Sequence, residues 1–325
     1  MKEDLDFLDK PSVLVIGDVM LDRYIWGDVQ RISPEAPVPI IAIRRETFTA
    51  GGAGNLALNL GALGVRCELF GIVGNDNKGV MLRDLFSERG VKFEPALLQD
   101  GTPTITKTRV IAQRQQICRL DDEASPDRYS IPQGDLSDLL VEKLKVHDVI
   151  ILSDYAKGVV TQSVIDMVRA AKRRRQCFVA LDPKPSRSLE ITNLDLLTPN
   201  RAEALQLLGL RSGHHSLSDN EVADRIMAQF NPEVLVVTLG EHGMLLRTRS
   251  QLSSTFATVA KQVADVSGAG DTVVAILAVA LGAGLSPARA VEMANAAAGI
   301  VVSKLGTATL TRTELAQAID AVAPH

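Results

Sequence analysis

The chain has little of what usually assigns a protein at first sight. It has only three cysteines, Cys67, Cys118 and Cys177. An odd number so widely spaced, in a chain large enough to need no covalent staple, predicts reduced thiols and a cytoplasmic protein. No apolar run is long enough to cross a bilayer: the stretches around Val273–Leu285 and Ala296–Val302 are short and broken by Gly or Ser. The opening MKEDLDFLDKPS is acidic and lacks the apolar core of an export signal, so no membrane association is expected. An excess of positive charge is also missing. Lys and Arg number 35 against 39 Asp and Glu, a net charge of -4, which argues against nucleic acid as a partner. The basic run Lys172-Arg173-Arg174-Arg175 follows the amphipathic VIDMVRAA and reads as a helix C-terminus, where the helix dipole favours cations.

Familiar site signatures are absent too. The five histidines form no HExxH and the cysteines no CxxC, so no transition-metal site is expected; His214-His215 sits in a polar stretch read as loop. No Gly-Lys dipeptide occurs, which excludes a Walker A loop. GGAGNLALNLG, from Gly51, does not satisfy GxGxxG, and no GxSxG elbow appears. A Rossmann oxidoreductase and a serine hydrolase are therefore disfavoured.

What is present is a rhythm. With 46% hydrophobic and 23% charged residues the chain can bury a sizeable core. Continuous apolar runs recur at Val13–Gly17, Cys67–Gly74, Asp148–Ser153, Cys177–Asp182 and Val234–Gly240, as expected for strands buried on both faces. Helical periodicity fills the intervals at Asn55–Leu63, Lys78–Arg89, Leu136–Lys145, Gln162–Arg173, Arg201–Leu208 and Asn220–Phe230. The alternation predicts an α/β fold, a mostly parallel sheet with helices on both faces. Beyond residue 270 the pattern is mainly helical, ending with Glu314–Val322. Pro37–Thr49 and Pro103–Leu120 break the rhythm; they alternate apolar and polar residues and read as half-solvated antiparallel strands. They are expected to meet as a small β lid over the carboxyl ends of the parallel strands, where open α/β sheets bind ligands.

Four clusters carry candidate chemistry. In DVSGAGDTVVAILAVALGAG, Ser267, Gly268, Ala269 and Gly270 allow a tight turn with uncovered amides, and Asp271 precedes an apolar helix. On local sequence a carboxylate there reads first as a plain helix N-cap, and it also suits a general base beside an anion hole. GGAGN, Gly51–Asn55, suits close backbone approach and hydroxyl recognition, or a flexible helix entry. GDVMLD places Asp18 and Asp22 just past the first strand, where paired acids suit polyol hydroxyls or a metal, or are surface acids of a loop. TPNRAE places Asn200 and Glu203 at i, i+3, a pattern for Mg²⁺-bound water and also for a capping box.

In order, GGAGN, DPK, N-x-x-E and GAGD resemble the ribokinase-like (PfkB) carbohydrate kinases over essentially the whole chain. Within that family GDVMLDRY, RISPEAPVPI, PTITKTRV, QQICRLD, LSDYAKG, LDPK, LLTPNRAE and NAAAGIVVSKLGT are similar to the branch acting on heptose 7-phosphate. The resemblance implies ATP-dependent phosphorylation of D-glycero-β-D-manno-heptose 7-phosphate at O1, in lipopolysaccharide core synthesis. It implies one kinase domain over 1–325 with lid strands from about 23–50 and 103–120, and a homodimer formed through that lid. Relatives often carry a C-terminal nucleotidyltransferase domain; no HxGH occurs, RSGH at Arg211–His214 lacking the first His, so the kinase alone is expected. Ser267 stands where many relatives have Thr, and a hydroxyl is retained.

The same resemblance implies residue roles. Asp271 is the base, and Gly268, Ala269 and Gly270 form the anion hole. Asp18, Asp22, Gly52 and Asn55 bind sugar hydroxyls. Lys107, Arg109, Arg119 and Lys157 are candidates for the distal phosphate, or are ordinary solvated charges. Asn200 and Glu203 organise Mg²⁺ through water and, with Lys184, Thr238, Gly240, Gly243 and Asn295, the ATP site. A monovalent cation such as K⁺, present in some members, would have Asp265 as a neighbour. The rival readings are another sugar or nucleoside kinase of the same fold and a non-catalytic sugar sensor.

Overall fold

The computed structural model describes residues 3–93, 96–98, 101–113, 115–185, 189–210, 217–251, 253–260, 262–304 and 306–322. The His214-His215 pair and the RSGH segment lie outside them. The apolar runs form one nine-stranded sheet. Ser12–Gly17 pairs in parallel with Arg66–Phe70 on one side, beyond which Lys92–Phe93 forms the edge, and with Val149–Ser153 on the other. The sheet continues in parallel through Phe178–Asp182, Leu196–Leu197 and Val234–Thr238, and ends in the antiparallel strands Met244–Thr248 and Ser254–Phe256.

Alternation along each strand divides the core between two layers. Val13, Val15, Val149, Ile151 and Ala180 face the layer of helices Ala53–Ala62, Ala269–Gly282 and Pro287–Val301. Leu14, Ile16, Ile150, Leu152, Val179 and Leu181 face helices Asp135–Leu144, Gln162–Arg174, Arg201–Leu207 and Asp219–Phe230. Both faces being covered is why these strands read as continuously apolar. The basic run does close a helix, with Lys172, Arg173 and Arg174 in its last turn.

Two local expectations are corrected. Cys67–Gly74 is not one strand: Arg66–Phe70 stays in the main sheet, whereas Ile72–Gly74 turns away to pair with Ala96–Leu98. The break falls at Gly71, where a Cβ would sit 2.4 Å from a methyl of Val19. The lid is also larger than expected and not wholly antiparallel. Two antiparallel hairpins, Val19–Ile32 with Pro39–Gly52 and Thr106–Ala112 with Gln115–Asp122, are joined by parallel pairing of Val19–Ile32 with Thr106–Ala112. The first lid strand leaves the main sheet directly, with only Asp18 between it and Gly17, and runs parallel to Thr106–Ala112 where they meet.

Candidate active site

The cleft collects at the carboxyl ends of the parallel strands. Asp18 follows Gly17, Asp154 and Tyr155 follow Ser153, Asp182 ends its strand, Thr198 follows Leu197, and Thr238 ends the last parallel strand. Asp154, Tyr155, Asp182, Lys184, Asn200 and Asp271 are among the walls of a cavity of about 170 Å³.

Asp271 is not an N-cap. The helix begins at Ala269, Gly268 occupies the cap position with φ 80°, and Asp271 stands in the first turn. Its carboxylate is buried and held from both sides: Asn55 Nδ2 donates to Oδ2 at 2.6 Å and the Tyr155 hydroxyl donates to Oδ1 at 2.7 Å. Burial pushes its pKa up to about 6; the two donors act against that shift and the nearby Asp22 charge adds to it. A carboxylate with that value is ionised at neutral pH and still basic enough to accept a proton. A polar seam fixes the register of the two helices. Thr272 Oγ1 donates to Asn59 Oδ1 at 3.0 Å, and Asn59 Nδ2 donates to the Asn55 carbonyl at 2.9 Å.

The turn before Asp271 is open to an anion. The amides of Gly268, Gly270 and Asp271 make no hydrogen bond among the described residues, whereas the Ala269 amide donates to the Val266 carbonyl at 3.3 Å. Ala269 therefore contributes less to the hole than expected. The anion-facing amides are those of its neighbours, at the positive end of a fourteen-residue helix.

Sequence reasoning missed Tyr155. Asp18, fully buried, accepts the amides of Tyr155 and Lys157 on Oδ2 and of Val159 on Oδ1. Ala156 in that loop has φ 59°, a left-handed conformation that costs energy for a residue with a Cβ. The expectation that Asp18 binds sugar hydroxyls is corrected: its oxygens hold the loop that presents the Tyr155 phenol. Burial, followed by the Asp271 charge, keeps that phenol well above its usual pKa, so it remains a donor. The available signal was LSDYAKG itself, at the end of a core strand. Tyr155→Phe should raise the lower pKa of the kcat/KM profile by about one unit, because one charge-assisted hydrogen bond to the base is removed. A pH–rate series on both proteins checks this; an unmoved limb would deny Tyr155 a part in tuning Asp271.

Asp22 lies on the inner face of the lid, paired with Arg109 Nη1 at 2.5 Å. The double glycine lets the chain pass it: a Cβ on Gly51 would stand 2.5 Å from the Asp22 carboxylate, and Gly52 has φ 60°. Asn55 Oδ1 is buried and without a partner, an acceptor left beside the base. The other nominated cations are already paired with carboxylates: Lys107 with Asp121 at 3.5 Å, Arg119 with Asp121 at 2.8 Å, Lys157 with Glu123 at 2.5 Å.

On the other wall, Asn200 and Glu203 form the capping box. Asn200 Oδ1 accepts the Glu203 amide at 2.9 Å and Glu203 Oε2 accepts the Asn200 amide at 3.0 Å. Lys184 Nζ meets Glu203 Oε1 at 3.0 Å. Asp182 is the acid that sequence reasoning left out of the site. Burial, then the charges of Asp271 and Glu203, drives its carboxyl well above the usual range. No group of three metal-ligating side chains occurs among the described residues. One or two carboxylates with water and phosphate oxygens are the usual Mg²⁺ environment, and Asp182 with Glu203 fits that chemistry. Thr238 lines the cleft; Gly240, Gly243 and Asn295 do not. Gly240 and Gly243 bound the turn beyond Thr238, and Asn295 Nδ2 donates to the Ala257 carbonyl at 2.6 Å, tying down the neighbouring loop. Asp265 accepts the amides of Ser267 and Gly306, which, set against its burial, hold its carboxyl below the usual range.

The fold recurs in solved structures. Arabidopsis thaliana ribokinase, complexed with ribose and ATP, superposes with a TM-score of 0.77 at 21% identity, covering 95% of this chain and 98% of that one. Phosphofructokinase-2 from Escherichia coli gives 0.76 at 17% identity, covering 96% and 99%. The fold is that of the ribokinase-like sugar kinases. The family model described as pfkB family carbohydrate kinase matches residues 10–314, and the chain belongs to that family. Among curated proteins it is 42% identical to the bifunctional protein HldE of Trichlorobacter lovleyi, over 94% of this chain and 62% of that protein. It is likewise 42% identical to the HldE protein of Shewanella amazonensis, over 98% of this chain and 66% of that one. The chain thus spans under two thirds of the length of the first of these relatives. No helix among the described residues is long and apolar enough to cross a membrane.

Proposed function

We propose that the chain is an ATP-dependent kinase that transfers a phosphoryl group to O1 of D-glycero-β-D-manno-heptose 7-phosphate, giving the 1,7-bisphosphate for lipopolysaccharide core synthesis. The observation that carries this reading is Asp271, a buried carboxylate with a pKa of about 6, set beside uncovered amides at a helix N-terminus. Binding alone requires no such base, which disfavours a sensor.

In this reading Asp22, Asn55 and the Gly51-Gly52 backbone hold the sugar hydroxyls, and Asp271 takes the proton of the attacking O1. The amides of Gly268, Gly270 and Asp271 stabilise charge on the group in transfer. Mg²⁺, when bound, neutralises phosphate charge; Asp182 and Glu203 would hold it through water, with Lys184 and Thr238 beside the nucleotide phosphates. A monovalent cation near Asp265 and a homodimer through the lid, whose Ile32, Val38 and Ile43 are exposed, complete the proposal. The chain is taken as one kinase unit over 1–325.

A phosphorus NMR assay with MgATP tests this, comparing the heptose 7-phosphate with ribose, fructose 6-phosphate and adenosine. A new anomeric phosphate signal with the heptose alone is expected. Turnover of another acceptor instead would discard the heptose and keep the Asp271 mechanism.

A further inference from the structure

Further along the inner face of the lid is a second cavity of about 310 Å³, bounded by Tyr24, Trp26, Arg45, Thr47, Gly306 and Thr307. Strand alternation puts Asp22, Tyr24 and Trp26 on one face, and the pairing sets Thr49, Thr47 and Arg45 beside them in turn. Same-face residues are separated by about 7 Å. The cavity therefore opens one step beyond the carboxylate assigned to the sugar, and its Thr307 wall reaches back to the glycine turn, where a Cβ on Gly268 would stand 3.4 Å from a Thr307 methyl.

Its chemistry suits an anion. The Arg45 guanidinium lies 4.8 Å over the Trp26 ring and has no carboxylate partner among the described residues, unlike Lys107, Arg109, Arg119 and Lys157. Stacking on an aromatic face holds the planar fork ready for a bidentate contact. Tyr24 is 7% exposed, yet its hydroxyl meets no hydrogen-bond partner, and neither does the Thr307 hydroxyl. Burial raises the phenol's pKa, and Thr307 is close enough to act against that shift without a bond of normal geometry. Thr47 Oγ1 accepts the Trp26 indole N–H at 3.1 Å and keeps its own proton to donate. Three hydroxyl donors and one uncommitted guanidinium thus surround a space with no acid among its walls.

We propose that this cavity is the subsite for the phosphate at the far end of the acceptor, with Arg45 as its charged anchor and Tyr24, Thr47 and Thr307 as neutral donors. The assignment rests on the sugar-phosphate reading above. It moves the distal phosphate from the four cations nominated by sequence to one that was not.

The test compares wild type, Arg45→Gln, Tyr24→Phe and Lys107→Met, with the heptose 7-phosphate and the same heptose lacking its phosphate as acceptors. Arg45→Gln should raise KM for the phosphorylated acceptor roughly 10- to 100-fold, with KM for ATP and turnover of the unphosphorylated acceptor unchanged. Tyr24→Phe should move the same constant less, in the same direction. Equal losses on both acceptors would reduce Arg45 to a structural role and overturn the subsite; so would a silent Arg45→Gln beside a large Lys107→Met effect. Should wild type not turn over the heptose, the functional reading fails by itself. The subsite is then read by phosphorus NMR titration of inorganic phosphate with MgADP saturating the nucleotide site. Line broadening that disappears in Arg45→Gln supports it, and broadening that persists, or is absent in wild type, overturns it.

Discussion

Asp271→Asn should lower kcat by roughly 10³-fold, within the span of general-base contributions, while nucleotide and acceptor binding survive. Steady-state kinetics with calorimetric binding to MgATP checks this. A variant retaining a tenth of the activity would remove Asp271 from the chemistry. A second readout follows from the buried charge. Because burial raises the folded-state pKa to about 6, the folded protein binds more protons than the unfolded chain between the ordinary carboxylate range and pH 6. The Asp271 contribution to wild-type stability therefore falls as pH rises through that window, and Asn removes it. The stability of the variant relative to wild type should rise between pH 4 and 7, by up to about 3 kcal/mol. Urea unfolding at the two pH values measures it; a difference that stays flat, or shrinks, would mean the carboxylate is not buried as described.

Gly268→Ala should lower kcat by about 10²- to 10³-fold, comparable to losing an oxyanion donor. The backbone there has φ 80°, and an added Cβ would stand 2.6 Å from Asn55 Nδ2, the atom that holds Asp271. The substitution thus adds about 1–2 kcal/mol of backbone strain and displaces both the base and the amides beside it. Gly284→Ala is the matched control. Gly284 has φ 89° with nothing within 4 Å of its Cβ position, so it should cost similar stability and spare activity. Equal activity in the two variants would show that strain alone, not the contact with Asn55, governs the site.

Much of the architecture was legible because it follows from local regularities. Double-sided burial makes a parallel strand continuously apolar, and Val13–Gly17, Asp148–Ser153 and Cys177–Asp182 each coincide with an observed strand to within a residue. GAGD and GGAGN marked two helix starts, and both helices do begin within these motifs. What pattern could not show was the partner of each side chain. Asp18 and Asp22 are four residues apart and chemically alike, yet one is spent on three amides and the other faces the lid interior. Tyr155 could not be tied to Asp271 by pattern, because their contact spans 116 positions. Asn200 and Glu203 satisfied two readings, and the capping box is the one their geometry displays.

By itself the sequence determined the layered α/β fold, the lid's existence, the two glycine turns and the acid at the second of them. Periodicity and backbone freedom are properties of neighbouring residues and survive in one dimension. Only the tertiary structure decided which acid is buried between two donors, that the lid hairpins join in parallel, and which lid cations meet carboxylates. Those outcomes depend on burial and on charges brought together across the fold: Asp271 acquires its basicity from desolvation, and Arg45, which sequence did not nominate, stands apart because the four nominated cations have found carboxylates.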